Sequence, residues 1–223
     1  HAKKFGIITA ETVYSAIRKC PNLVLVHPRH WRYEEISKQA NRIYLQYTDQ
    51  VEPFSIDESF LDITGSLSYF RASARDLADR IRNQVKRDIG ITISVGASFN
   101  KTFAKIGSDM KKPDATTEIT RENYQSLVWS LPIRDMLFIG KASVEPLEKQ
   151  GIHTIGDLAR KSKKEIVHLL GKGGDSLWSN ANGLDNEPVK SFGDREPVKS
   201  IGKGMTFRRD LTSKDEIMKG VID

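Results

Sequence analysis

The chain has 223 residues, 38% hydrophobic and 29% charged, a balance that supports a globular core. No run approaches the roughly 18 apolar residues of a membrane-spanning helix, and no signal peptide opens the chain. Cys20 is the only cysteine, which excludes an internal disulfide and a Cys-based zinc site and suits a reducing, intracellular compartment, while a formal net charge of +6 suits a polyanionic partner.

In chain order, residues 9–20 read as a helix with Thr9 as N-cap and Pro21 after its end. Residues 23–26 (LVLV) read as a short strand. Residues 31–47 carry Tyr33, Ile36, Ala40, Ile43, Tyr44 and Tyr47 at helical spacing. Two strands follow, 51–56 and 59–64, with Asp57 and Glu58 at the reversal. Residues 68–88 read as one amphipathic helix with Leu77, Ala78, Ile81 and Val85 on one face. Residues 91–98 (ITISVGAS) alternate strictly, the pattern of a half-buried strand. Asn100 can cap a helix to Met110, Pro113 breaks it, and 115–119 return as a strand. One further strand in front would make this order βαββαβ, an α+β ferredoxin-like arrangement. The start at His1-Ala2-Lys3-Lys4 and the end at Asp223 read as those of a piece of a longer protein. Beyond residue 120 the pattern is helical and short-looped: 121–129, 141–150, 154–161, 163–170 and 173–182. A Pro- and Lys-rich tether then holds EPVKSFG and EPVKSIG, and 203–209 read as a first strand.

Adjacent carboxylates at a hairpin reversal can both reach one rim of a sheet. Mg²⁺ takes oxygen ligands and often only one or two protein carboxylates, the rest being phosphate and water. Two such ions hold the attacking and leaving oxygens of a phosphoryl transfer. The plain alternative is a solvated Asp-Glu turn. Downstream, Lys101 and Lys105 lie four residues apart on one helix face, with Lys111-Lys112 at its end. These lysines suit either a polyphosphate clamp or simple complementation of the helix dipole. Residues 136–159 form a helix, a tight turn and a second helix. Such a helix-hairpin-helix can offer backbone N–H groups to a DNA phosphate, though a plain helical hairpin has the same form. Lys3-Lys4 add basic charge ahead of Phe5-Gly6.

Together FSIDESFLDIT (54–64), SVGASFNKTFAKIGSDMKKP (94–113), AKKFGI (2–7) and the segment 137–158 resemble, in order, the motifs of the Y-family translesion DNA polymerases of the DinB/UmuC type. The resemblance implies a template-directed polymerase that adds deoxynucleotides to a primer 3′ end during damage bypass. It implies a fingers fragment over 1–28, a palm over 29–120, a helical thumb over 121–186, a linker over 187–197 and the start of a little finger over 198–223. Asp57 and Glu58 would be two of three catalytic, metal-binding carboxylates for two Mg²⁺ ions. Lys112 would contact the nucleotide triphosphate, and so would Lys3, which stands where the family usually carries arginine. Gly140 and Lys141, with Lys101 and Lys105, would contact DNA. Phe138 stands where many members have glycine. By the resemblance, the first palm strand is missing, and with it the third carboxylate and the residue that screens the sugar 2′ position.

The expected partners are primer-template DNA and deoxynucleoside triphosphates, with a sliding clamp reached through a further C-terminal tail. The expected state is a monomer in the cytoplasm, associated with the nucleoid. Two alternatives stand beside this reading: a DNA-binding fragment without activity, and another palm-type enzyme such as a nucleotide cyclase. The cyclase has no need of a DNA-binding thumb.

Overall fold

Local chemistry sets most element ends before any packing is considered. The computed structural model describes residues 1–222 apart from 195, 196, 203, 205 and 208, and apart from the side chains of 221 and 222. The chain divides into two units, His1–Phe192 and Gly193–Asp223.

Helix α1 (Val13–Lys19) is capped by Thr12, whose side chain accepts from the Ser15 N–H at 3.2 Å, rather than by Thr9. Ala10 sits at φ 62°, so the backbone cannot run helically from Thr9. Residues 23–26 form no strand: Val24 and Val26 are 82% and 83% exposed. Their β-branched run has no ladder partner among the described residues, and a strand needs one. Helix α2 (His30–Tyr44) buries Ala40 and Ile43 and packs against α4 (Ala74–Ile89). The single helix expected over 68–88 is two. Between them, α3 (Leu67–Phe70) ends at Arg71, which takes φ 47°. Ser73 then caps α4 through a box with Asp76, the S-x-x-D signature of a new start.

Strand β1 (Val51–Pro53) pairs antiparallel with β2 (Ser59–Leu61), Val51 opposite Leu61 and Pro53 opposite Ser59. Both strands are shorter than expected. Past β2, the Asp62 carboxylate accepts the Thr64 N–H at 2.9 Å and turns the chain. Strand β3 (Val95–Ser98) pairs parallel with β4 (Thr116–Ile119), and α5 (Lys101–Met110) is the crossover between them. Among the described residues the four strands make two separate two-stranded sheets, not the single ferredoxin-like sheet expected. The alternation over 91–98 is not matched by burial, with Ile91 37% exposed and only Ala97 buried, and only 95–98 pair.

Helix α5 lies directly on β3. A Cβ on Gly96 would sit 1.8 Å from the Ala104 carbonyl oxygen, so only glycine permits this approach. Asn100 caps α5 as expected, accepting the Phe103 N–H at 2.8 Å. Phe103 and Ile106 of α5 and Ile119 of β4 belong to one core with the helices that follow: α6 (Tyr124–Val128), α7 (Lys141–Lys149), α8 (Ile155–Arg160), α9 (Lys163–Leu170) and α10 (Lys172–Ala181). These five match the helical segments expected there. Ile133, Leu147, Ile155 and Leu158 are completely buried in that core.

Residues 185–192, the end of the expected thumb and the first part of the tether expected from 187, are tied to the strands and α5. Asp185 accepts from the Thr102 N–H and hydroxyl at 3.2 and 2.9 Å, and the Lys190 N–H donates to Glu52 at 2.8 Å. The Phe192 N–H donates to the Asp49 carbonyl at 3.1 Å. In the second unit, α11 (Lys214–Ile222) begins after Ser213, whose hydroxyl accepts the Glu216 N–H. Arg209 pairs with Glu216. The strand expected over 203–209 falls partly on residues 203, 205 and 208, which lie outside the described ones. The tether residues 195 and 196 do so too.

Candidate active site: a carboxylate turn backed by a lysine helix

The β1–β2 turn presents Asp57 outward and Glu58 toward α5. The Phe54 and Ser55 N–H groups both donate to the Glu58 carbonyl, at 2.8 and 3.1 Å, closing a tight loop. Asp57 is exposed and accepts the Ser55 hydroxyl at 2.9 Å. The Phe54 ring lies 5.3 Å from that of Phe60, which faces inward.

Behind the turn stands α5, carried close by Gly96. Lys105 Nζ lies 2.9 Å from Glu58 Oε1 and 2.6 Å from Asp109 Oδ2. Lys112 Nζ lies 2.7 Å from Asp109 Oδ1. Glu58, Lys105, Asp109 and Lys112 therefore alternate in sign along a single string. Burial lowers the Lys105 pKa, but its hydrogen bonds to Asp109 and Glu58 outweigh that and leave it raised. Burial opposes ionisation of Asp109 as well, yet Lys105 and Lys112 hold its carboxyl below the ordinary range.

Lys101 differs from the expected DNA contact. Its side chain is 8% exposed and its ammonium lies 2.7 Å from Glu52 and 3.4 Å from Glu187. It ties β1, α5 and the 185–192 segment together, and its charge is satisfied inside the protein. Glu52 is lowered in pKa because the hydrogen bonds from Lys101 and from the Lys190 N–H outweigh its burial. Sequence reasoning missed Glu52, Asp109, Asp185 and Glu187 as partners. The alternation at 51–53 and the i,i+4 spacing of Lys105 and Asp109 were signals for the first two; the pairings of Asp185 and Glu187 carry no local signal.

The helical hairpin lies beside this turn. Phe138 packs edge-on against Phe54, ring centroids 6.0 Å apart. It takes φ 63°, the left-handed region in which glycine is favoured, so a bulky residue here carries backbone strain. Gly140 is the N-cap of α7 with no side-chain cap, and Lys141 is its first residue. No hydrogen bond is found for the Lys141 and Ala142 N–H groups among the described residues. By contrast, the α8 start is consumed internally: Thr154 and Asp157 form a capping box, and the Ile155 and Gly156 N–H groups donate to the Leu131 and Trp129 carbonyls. A cavity of about 330 Å³ lies where the two turns meet α5 and α10, lined by Phe54, Phe60, Lys101, Phe138, Asn180 and Glu187 among others. Lys3, exposed in a short 3-10 turn (Ala2–Phe5), is not brought to the carboxylates by any contact among the described residues.

Among the described residues no group of three or more His, Cys, Asp or Glu side chains is placed to hold a metal ion. Asp57 and Glu58 alone offer hard oxygen donors in the number that Mg²⁺ commonly takes from protein. Among the same residues no helix is long and apolar enough to cross a membrane.

With its carboxylate turn, its lysine-bearing helix and the helical hairpin alongside, the chain is similar to DinB-type DNA polymerases. Residues 1–109 match the impB/mucB/samB family. The chain is 45% identical over 216 residues to DNA polymerase IV of Acetivibrio thermocellus, covering 97% of this chain and 54% of that one. It is 38% identical over 224 residues to DNA polymerase IV 2 of Bacillus subtilis, covering 99% and 54%. Among solved structures, DinB from Sulfolobus solfataricus matches with a TM-score of 0.75 at 27% identity, over 85% of this chain and 56% of that one. An insertion ternary complex of Dbh DNA polymerase matches equally well, over 84% and 55%. The chain thus spans about half the length of the curated relatives it matches.

Proposed function

We propose that the protein carrying this chain is a template-directed DNA polymerase of the translesion type, transferring a nucleotide to a primer 3′ end. The observation that carries the reading is the β1–β2 turn: Asp57 is exposed, and Glu58 beside it meets the Lys105 ammonium of α5. The relatives' polymerase names and the polymerase structures support it, and they do not favour a cyclase.

In this reading residues 29–120 serve as the palm, residues 121–186 as the thumb, and residues 1–28 and 198–223 as parts of the fingers and little finger. Asp57 and Glu58 hold divalent cations, two Mg²⁺ ions, which supply charge neutralisation at the attacking and leaving oxygens when bound. Lys112, 59% exposed at the end of α5, can turn from Asp109 to an incoming triphosphate. Lys3 reaches the same triphosphate only if the segment before α1 closes over it. Gly140 and Lys141 meet a DNA backbone phosphate through the free N–H groups at the start of α7 and the lysine charge. Lys105 serves Glu58 before it serves DNA, and Lys101 serves the fold.

The deciding experiment is primer extension by a protein of the relatives' full length containing this sequence, unaltered and with Asp57→Asn or Glu58→Gln. Loss of extension in both variants with retained folding and retained DNA binding supports the reading. Near-normal extension in either removes the metal assignment.

A further inference from the structure

The string Glu58–Lys105–Asp109–Lys112 contains a conflict that the assignment of Glu58 alone does not resolve. A carboxylate that is to take a divalent cation already has an ammonium 2.9 Å away. Lys105 is only 19% exposed in its side chain, so its ammonium rests among protein groups rather than in solvent. What holds it is Asp109, one turn along the same helix. Its Oδ2 lies 2.6 Å from Lys105 Nζ while its Oδ1 lies 2.7 Å from Lys112 Nζ.

We propose that Asp109 is a positioning residue for the carboxylate turn: it holds the Lys105 ammonium on α5 and so keeps Glu58 available to a divalent cation. The charges make the sense of the effect plain. Around the string, two carboxylates balance two ammoniums, and Asp57 adds a negative charge that a cation can use. Without the Asp109 charge the balance gains one positive unit. Lys105 then has Glu58 as its only carboxylate partner in the string and competes with the metal for it. Asp109 touches no reacting atom in this scheme and acts only through Lys105.

The inference rests on the reading of Glu58 as a metal ligand, and its test separates the two. Mn²⁺ binding to the chain is followed by electron paramagnetic resonance for the unaltered protein, Glu58→Gln, Asp109→Asn, Asp109→Glu, Lys105→Met and the Asp109→Asn/Lys105→Met pair. Circular dichroism confirms that each is folded. Asp109→Asn is expected to weaken Mn²⁺ binding about three- to tenfold, the scale of one nearby, partly screened charge. Asp109→Glu restores binding. In the Lys105→Met background the Asp109→Asn change costs markedly less, because the competitor is gone; a general structural or long-range charge role predicts the same loss in both backgrounds. Binding that Glu58→Gln leaves unchanged overturns the metal reading and this inference with it. Binding that depends on Glu58 but not on Asp109, or on Asp109 equally with and without Lys105, overturns this inference alone.

Discussion

The two turns that meet at Phe54 and Phe138 are held in opposite ways. The carboxylate turn is fastened by charge: Glu58 to Lys105, Lys105 to Asp109, and, beneath it, Glu52 to Lys101. The helical hairpin is fastened by apolar burial, with Ile133, Leu147, Ile155 and Leu158 wholly out of solvent. Of the ion pairs, the partly exposed Glu58–Lys105–Asp109 ones contribute little net stability but leave charges that an arriving cation or phosphate can redistribute, whereas the buried Glu52–Lys101 pair holds the turn to α5. A buried apolar frame contributes stability and holds geometry without responding to ions. The first arrangement suits a site that binds and releases charged ligands; the second suits a platform that presents fixed backbone N–H groups.

The contrast breaks most visibly at the carboxylates. Asp57→Asn and Glu58→Gln in a full-length protein should each lower primer extension by more than about a hundredfold, the upper range for disturbing groups that merely support a metal ligand. Asp57→Asn should leave the melting temperature equal or higher, since it relieves repulsion between neighbouring carboxylates. Glu58→Gln should be near neutral, because Lys105 keeps Asp109. Extension kinetics beside thermal melts read both halves.

On the hairpin side the expected effect is the reverse. Leu147→Ala removes a wholly buried side chain and should destabilise by about 2–5 kcal/mol. Salt should not restore it, and urea unfolding of the chain measures the loss. A destabilisation well below about 1 kcal/mol, under the usual range for such a truncation, would mean that the hairpin is not held by its core.

How much of this contrast the sequence carried differs between the sides. The hairpin was legible because its determinants are local: the turn glycine, the Thr154–Asp157 box and helical apolar spacing all lie within one short segment. The carboxylates themselves were legible as an interruption of two strand-like runs. Their supports were not. The Lys101–Glu52 pair spans 49 residues and the Lys101–Glu187 pair 86, and nothing in either neighbourhood announces the other end. Lys101 therefore read as a phosphate or DNA contact, whereas its ammonium is paired with Glu52 and Glu187. The same limit explains the sheet: the alternation of 91–98 told neither which strand, if any, lay beside it nor which side would be covered, and Ile91 is exposed.

Two lysines sharpen the comparison on a smaller scale. Lys112→Ala should weaken apparent nucleotide affinity about tenfold, the equivalent of one charge-assisted hydrogen bond near 1.5 kcal/mol, with primer-template binding little changed. Equal losses in both would make it a general DNA contact. Lys141→Ala should lower the magnitude of the slope of log K against log salt for duplex DNA by about 0.9, the value expected when one fewer phosphate is neutralised. A slope that stays put would remove Lys141 from the interface.

The smallest effect is also the one that sets the two turns apart within a single molecule. Glu52 has a lowered pKa in the folded chain, through Lys101 and the Lys190 N–H. A carboxylate of this kind contributes stability that is fully present above its unfolded value, near about 4, and is lost as pH falls through the lower folded value. Asp109 shifts in the same direction and adds to the same window. Acid should therefore loosen the β1–β2 turn and the start of α5 first. The hairpin carries one such group, Asp157, lowered by its bond with Thr154, but it serves a helix cap rather than the core. Hydrogen exchange at about pH 7 and at about pH 3, on either side of that window, should show protection falling more at residues 51–61 and 101–105 than at 144–158. In Glu52→Gln the pH dependence at 51–61 should flatten, since the titrating partner of Lys101 is gone. If both regions lose protection together in the unaltered chain, the turn and the hairpin open as one unit, and the division between an ion-held turn and an apolar platform does not hold.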